Sequence, residues 1–299
     1  MELEKLYLTI IDNLLDGVYF VNKDRRITFW NKAAESITGY KAEEIVGQCC
    51  QDNLLKHIDN DGRALCLLGC PLFATIIDGR QRKDTVFLQH KEGHRIPVFI
   101  NIFPMLEDGE ITGAIEVFTQ SSSAVNDNNV ILKLLDLQFS DDLPGAANRG
   151  KIESYIAYRL NELKRFQRKF CVIFFNMDNF KEFTGIYGYE TVNNLLRNVY
   201  KSINYSIRPS DFFSHWSGDG FIGIFEVTKN YEATLLAEKI RILVAGSEFP
   251  YELQNLSITA SFGVTVANEN DSVDTVIQRA DALMRQSKMK SKNCVSSDA

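Results

Sequence analysis

Residues 120–129, QSSSAVNDNN, break the hydrophobic pattern of the chain into two unequal parts. Small polar residues that follow neither a helix nor a strand period behave as a linker. The chain has 299 residues, and single cores rarely grow beyond about 250–300, so two cores are expected. One unit is expected over residues 1–120 and a second over 140–299. Between them, residues 121–139 hold the linker and a short stretch, VILKLLDLQF, with Val130, Leu134 and Leu137 at helical spacing. Under two heptads long, it is too short to establish a coiled coil, but it is the expected route for a signal between the units.

Composition narrows the function classes. With 45% hydrophobic and 24% charged residues, the chain reads as an ordinary globular protein. A net charge of −6 lacks the basic surplus of a general nucleic-acid binder. No apolar run approaches the roughly 20 residues that cross a bilayer. The longest, FCVIFF at 170–175, reads as a buried strand. The acidic, amphipathic start MELEKLYLTIIDNLL does not fit a signal peptide. The expectation is a cytoplasmic protein with no membrane or nucleic-acid partner. Its six cysteines are then expected as thiols or ligands rather than disulfides.

In the first unit, GVYFVNKDRRITFWN holds two β-rich runs around the polar turn Asn22-Lys23-Asp24, a predicted hairpin. Helical pieces follow, KAAESITGY, stopped by Gly39, and KAEEIVG. Three strands are predicted at 85–90, 95–103 and 111–118, joined through Lys91-Glu92-Gly93 and Asp108-Gly109. This order predicts an antiparallel sheet with helices on one face. The stretch RRITFWNKAAESITGYKAEEIVGQ resembles the PAS sensor family, and the likeness runs over about residues 5–120. That resemblance implies a five-stranded antiparallel sheet with flanking helices, cupping a pocket for a small molecule or cofactor. It also implies an input role, often with dimerisation.

Cys49, Cys50, His57, Cys66, Cys70, His90 and His94 crowd into residues 49–94. Thiolates and imidazoles suit zinc, an iron–sulfur cluster or haem iron, so these seven are sensing candidates. The spacing lacks the C-x₂-C pair of a zinc ribbon. Buried thiols in an apolar core, with histidines on a hairpin tip, remain the plainer reading. Pro71 predicts that a helix starts just after Cys70.

The second unit alternates helices and strands. NRGKIESYIAYRLNELKRF is a predicted helix and KFCVIFFN a central strand. YETVNNLLRNVYKSINYSI is an amphipathic helix with Val192, Leu195, Leu196, Val199, Tyr200 and Ile203 on one face. DFFSHW and FIGIFEV bracket the turn Ser217-Gly218-Asp219-Gly220 as a hairpin. Helix ATLLAEKIRILVA, strand LSITASFGVTVA and helix SVDTVIQRADALMRQSKMK complete an α+β unit.

Five blocks in this unit resemble the GGDEF family of diguanylate cyclases: SDDLPGAANR, FFNMDNFKEFTGIYGYETVN, RPSDFFSHWSGDGF, ITASFGVTVA and QRADALMRQSKMKSKN. The resemblance implies a palm-like α+β sandwich of the nucleotide-cyclase kind. It also implies an activity that joins two GTP into cyclic di-GMP and two pyrophosphates, with Mg²⁺, across two facing domains. Magnesium prefers anionic oxygen ligands. By resemblance the first-strand acid falls at Asn176, Met177 lends a backbone carbonyl, and the hairpin acids fall at Asp219 and Gly220. One of three expected carboxylates is retained. Asp178, two residues after Asn176, would share its face in a regular strand and is weighed as a substitute.

By the same resemblance, Phe180 and Lys181 cradle phosphate, and Thr184 and Asn193 stand where the family reads guanine with Asn and Asp. Lys288 and Lys292 stand where a Lys and an Arg contact the triphosphate. Their spacing of four predicts one helix face. Arg208-Pro209-Ser210-Asp211 resembles the inhibitory RxxD site, in which Arg208 and Asp211 would bind cyclic di-GMP. The expected function is a dimeric PAS–GGDEF signalling protein with a degenerate cyclase site, binding GTP, cyclic di-GMP or a partner domain. An active cyclase and a ligand-free scaffold are the alternatives.

Overall fold

The computed structural model describes residues 2–120 and 145–298, apart from 53 and 209. The predicted linker and signalling stretch at 121–139 lies outside the described residues, as does the start of the SDDLPGAANR block. The described residues form two units, each with its own core.

The first unit begins with helix α1 (Glu2–Asp12), then strands β1 (Gly17–Asn22) and β2 (Ile27–Trp30). Their turn is closed by Asn22, whose Oδ1 accepts from the Asp24 and Arg26 amides. Helices α2 (Lys32–Thr38), α3 (Ala42–Ile45) and α4 (Pro71–Asp78) follow. Gly39 ends α2 in the left-handed conformation, as predicted, and Pro71 opens α4. Strands β3 (Arg82–Gln89), β4 (Arg95–Glu107) and β5 (Glu110–Gln120) complete an antiparallel sheet ordered β2-β1-β5-β4-β3. One polar residue ties the start together. Asn31 is fully buried, accepts from the Val18 and Ala34 amides, and donates to the Ile11 and Asp16 carbonyls. Tyr19, Val21, Leu88, Ile100 and Phe118 bury the helix-side face of the sheet.

The second unit opens with α5 (Gly145–Phe166) and β6 (Phe170–Met177). Next come α6 (Phe180–Tyr187), α7 (Tyr189–Asn204), β7 (Phe212–Ser217), β8 (Gly220–Glu226) and α8 (Asn230–Ala245). A small hairpin, β9 (Glu248–Tyr251) and β10 (Gln254–Ser257), precedes β11 (Ala260–Val266), α9 (Val273–Lys290) and β12 (Val295–Ser297). The main sheet runs β12-β11-β6-β8-β7, antiparallel except for β11 against β12. Strand β6 is buried on both faces, which explains its unbroken apolar run. Cys171, Ile173, Phe175 and Met177 face α7 and α8, whereas Phe170, Val172 and Phe174 face α5 and α9.

Two predictions need correction. LSITASFGVTVA is not one strand: β10 ends at Ser257 and pairs with β9, while β11 starts at Ala260 beside β6. The α9 helix ends at Lys290, and Lys292 has φ +54°, so Lys288 and Lys292 do not share a helix face.

Helix α9 lies directly on β11 because Gly263 has no side chain. A Cβ there would stand 2.1 Å from the Ala280 carbonyl oxygen and 2.2 Å from the Met284 amide. Backbone cannot yield as a flexible side chain would. Gly263→Ala is therefore expected to cost about 3 kcal/mol in urea denaturation, the upper end of overpacking costs. Gly150→Ala, which meets open space in α5, should cost nothing. Equal midpoints for the two variants would count against this close approach.

Candidate functional site

The end of β6 and the β7–β8 turn form one wall of an open cleft of about 700 Å³. Asn176 pairs with Gly220 across the strands, and the Met177 amide donates to the Asp219 carbonyl at 3.0 Å. The Asp219 carboxylate is engaged at both oxygens. Asn176 Nδ2 donates to Oδ1 at 3.3 Å, and the Lys288 ammonium stands 3.5 Å from Oδ2. The same ammonium donates to the Met177 carbonyl at 3.3 Å. Asn176 Oδ1 is buried without a hydrogen bond and points at the space a side chain on residue 220 would fill, 2.9 Å from that Cβ.

Asp178 does not converge with Asn176. Its carboxylate accepts from Thr259 Oγ1 at 2.8 Å, Ser261 Oγ at 2.7 Å and the Asn293 amide at 3.0 Å. It is buried and holds β6, β11 and the segment after α9 together, turned away from Asn176. Phe180 and Lys181 open α6 at the cleft, where first-turn N–H groups have no partner within the helix. Lys292 arrives from the turn after α9 and donates to Asn179 Oδ1 at 2.6 Å. Thr184 borders the cleft, but its hydroxyl donates to the Phe180 carbonyl at 2.8 Å. Asn193 sits on α7, outside the cleft lining.

Residues 138–294 match the family described as diguanylate cyclase, GGDEF domain. The chain belongs to the GGDEF diguanylate cyclase family. Residues 15–120 match the PAS domain. The chain is 25% identical over 295 residues to the probable diguanylate cyclase DgcE of Escherichia coli (strain K12), covering 96% of this chain and 25% of that protein. It is 27% identical over 164 residues to the bifunctional diguanylate cyclase/cyclic di-GMP phosphodiesterase MucR of Pseudomonas aeruginosa, covering 54% of this chain and 24% of MucR. The chain thus spans about a quarter of the length of these relatives. The crystal structure of the GGDEF domain of DgcB from Caulobacter crescentus, in complex with c-di-GMP, is 24% identical, covers 50% of this chain and 86% of that one, and superposes with a TM-score of 0.47.

Elsewhere in the GGDEF unit, Arg208 and Asp211 close a turn on each other. The Arg208 amide donates to Asp211 Oδ2, and the Asp211 amide to the Arg208 carbonyl, both at 2.9 Å. Both border a second cleft of about 340 Å³, shared with Glu226, Glu232 and Lys239. Burial raises the Asp211 carboxyl, opposed by the Arg208 amide.

The PAS interior separates the seven sensing candidates. Cys50, His57, Cys66 and Cys70 line one cavity with Tyr19, Arg25 and Glu116. Cys49 instead donates to the Asp24 carbonyl at the surface, and His90 and His94 lie at the β3–β4 turn. The cavity measures about 20 Å³, room for one water. A haem or an iron–sulfur cluster does not fit it. Nor does one ion take Cys66, His57 and Glu116 together. Cys66 Sγ stands 4.0 Å from His57 Nδ1, while Glu116 Oε1 stands 3.9 Å from Nε2 on the other side of the ring. At the turn, His90, Glu92 and His94 bring ligand atoms within 4.8 Å. The two rings stack at 4.3 Å and 23°. Among the described residues, the cavity therefore does not fit a haem or an iron–sulfur cluster.

Glu116 was not among the sequence candidates. The signal was present: Ala114, Glu116 and Phe118 alternate inward on β5. Burial raises its carboxyl to about 7, partly offset by a hydrogen bond from Tyr19. Burial and the Arg95 charge lower His57 to about 4. Burial also pushes the Cys66 thiol up to about 11, and those of Cys50 and Cys70 upward. All these groups are thus neutral in mildly acidic solution.

The signs of the two main shifts oppose. The raised Glu116 value contributes stability that is complete below about 4.5 and lost as pH rises through about 7. The lowered His57 value contributes stability present above about 6.5 and lost as pH falls through about 4. Glu116→Gln removes only the first effect. Its melting temperature relative to the parent should rise between pH 5 and pH 8, by the equivalent of up to about 3 kcal/mol. A pH-independent difference between the two proteins would argue against a buried acid at this position.

Proposed function

We propose that this PAS–GGDEF chain is a signal-transduction protein of the cyclic di-GMP pathway whose cyclase site is impaired. In this reading it acts by binding a nucleotide or a partner domain under control of the PAS unit. One observation carries it: the single carboxylate at the metal position, Asp219, is already paired with the Lys288 ammonium and accepts a hydrogen bond from Asn176. GGDEF cyclases generally use Mg²⁺, which is usually held in near-octahedral array by one or two carboxylates together with substrate phosphates. Here Asn176 and Gly220 supply no charge, Asp178 is committed elsewhere, and Lys288 also holds the Met177 carbonyl. These residues do not fit a pair of divalent cations.

We assign residues 1–120 to the sensor, 121–139 to the connection and 140–299 to the GGDEF domain, acting as a homodimer in the cytoplasm. No helix among the described residues is long and apolar enough to cross a membrane. Arg208 and Asp211 supply the second half of the proposal, a site for cyclic di-GMP. Their turn is preformed, borders a cleft and needs no metal.

With GTP and Mg²⁺ or Mn²⁺, the purified chain should form cyclic di-GMP at least about 10⁴-fold more slowly than a typical enzymatic rate of about 1 s⁻¹. Each lost stabiliser is worth about 10²–10³, without strict additivity. Turnover near that rate would overturn the reading. In calorimetry, Arg208→Ala should abolish a cyclic di-GMP isotherm given by the parent. An isotherm unchanged by this substitution would remove Arg208 and Asp211 from the site.

A further inference from the structure

We propose that Cys66, His57 and Glu116 form a thiol-activating relay inside the PAS unit, which makes Cys66 reactive toward a small uncharged oxidant such as hydrogen peroxide, with Cys70 as the resolving thiol. The proposal stands on the first unit alone and does not depend on the state of the cyclase site.

The order of contacts carries it. Cys66 Sγ lies 4.0 Å from His57 Nδ1, and Glu116 Oε1 lies 3.9 Å from Nε2. Thiol and carboxyl thus face opposite nitrogens of one ring, as a nucleophile and an orienting acid face the base between them. Such contacts are often long in the resting protein and tighten once a reactant is bound. Glu116 is 2% exposed, and its Oε1 has no hydrogen-bond partner among the described residues. An unsatisfied buried oxygen is costly, and a proton on His57 Nε2 satisfies it. That tautomer leaves the Nδ1 lone pair for the thiol proton. Cys66, His57, Glu116 and Cys70 line one water-sized cavity, and Cys66 and Cys70 are half-buried, so a small reagent reaches them from solvent.

Free ionisation does not activate Cys66. Burial pushes its thiol up to about 11, which the His57 backbone and the Arg95 charge offset only in part. Handing the proton to His57 during the attack removes this obstacle. The sulfur attacks one peroxide oxygen, its proton passes to Nδ1, an S–O bond forms and the O–O bond breaks. The departing hydroxide takes the proton from His57 and leaves as water. Sulfur is oxidised, peroxide is reduced, and Cys66 becomes a sulfenic acid. The Cys70 thiol then displaces water from that sulfur to give a disulfide. Cys70 follows Gly69, which is in the left-handed conformation, and the Phe73 and Leu72 amides at the start of α4 lower its thiol against burial.

Glu116 acts as a positioning residue and sets the pH dependence. Around it stand Tyr19 from β1, Arg25 from the β1–β2 turn, and Cys50, His57, Cys66 and Cys70 from the segments between α3 and α4, with Arg95 of β4 acting on His57. Burial keeps its proton below about 7, and a neutral carboxyl gives an imidazolium no support. Its carboxylate does. The Cys66 oxidation rate should therefore rise through about pH 7 and then level off. An unassisted thiol at about 11 would instead gain about tenfold per pH unit up to pH 9 and beyond.

The full chain is treated with hydrogen peroxide between pH 6 and pH 9, sulfenic acid is trapped with dimedone, and each cysteine is followed by mass spectrometry. At pH 8 Cys66 should react at least about tenfold faster than Cys49 in the same sample, and His57→Ala should remove that advantage. Glu116→Gln should abolish the inflection near pH 7. Cys70→Ser should let sulfenic acid accumulate at Cys66, where the parent passes on to the disulfide. Circular dichroism checks folding; if His57→Ala does not fold, the Glu116→Gln profile decides. Cys66 slower than Cys49, a steady tenfold rise per unit to pH 9, or a profile unmoved by Glu116→Gln each overturns the relay. No accumulation in Cys70→Ser overturns the role of Cys70.

Discussion

The ion pair between Lys288 and Asp219 is the contact on which the character of the cleft depends. It is half-exposed, so its own contribution to folding is small. Its importance is positional. It joins the end of α9 to the end of β6 and the β7–β8 turn. A carboxylate beside a neutral amide and a glycine can be balanced by one univalent cation.

That position is prepared from far along α9. Arg279 grips Asp271 with both terminal nitrogens, at 2.8 and 2.9 Å, and donates through Nη2 to the Val266 carbonyl at 3.0 Å, which anchors the start of the helix to the end of β11. Gly263 lets the middle of the helix approach the sheet, and Ser287 fastens its last turn. Asp178 performs the matching service on the other side by tying β6 to β11 and to Asn293. An acid that looked available for chemistry is thus part of the frame.

Much of this fold was legible in the sequence. The first unit's strand-and-helix order, the α7 face from Val192 to Ile203, the Gly39 stop and the Pro71 start follow from local periodicity and backbone sterics, whereas the short α6, β9 and β12 of the second unit do not stand out in the sequence. Less legible was anything decided by chain direction at an element end. Whether Asp178 faces the cleft depends on how β6 leaves the sheet, and LSITASFGVTVA divides because Ser257 and Ala260 pair with different partners. The route of Lys292 was misjudged for the same reason, since spacing of four means one face only while a helix continues. It still reaches the cleft, at Asn179, through a turn in the left-handed conformation.

The PAS interior shows the converse limit. Counting cysteines and histidines picked out residues that share a stretch of chain, yet the cavity is defined by which side chains point inward. Glu116 enters by strand alternation and Tyr19 by the strand beside it, since Tyr19 and Glu116 are paired across β1 and β5. Burial raises the carboxyl and the thiols that face this cavity together. Both units therefore show the same physical economy. In one, burial holds the inward-facing thiols up, and in the other an ammonium sits beside the carboxylate at the cleft.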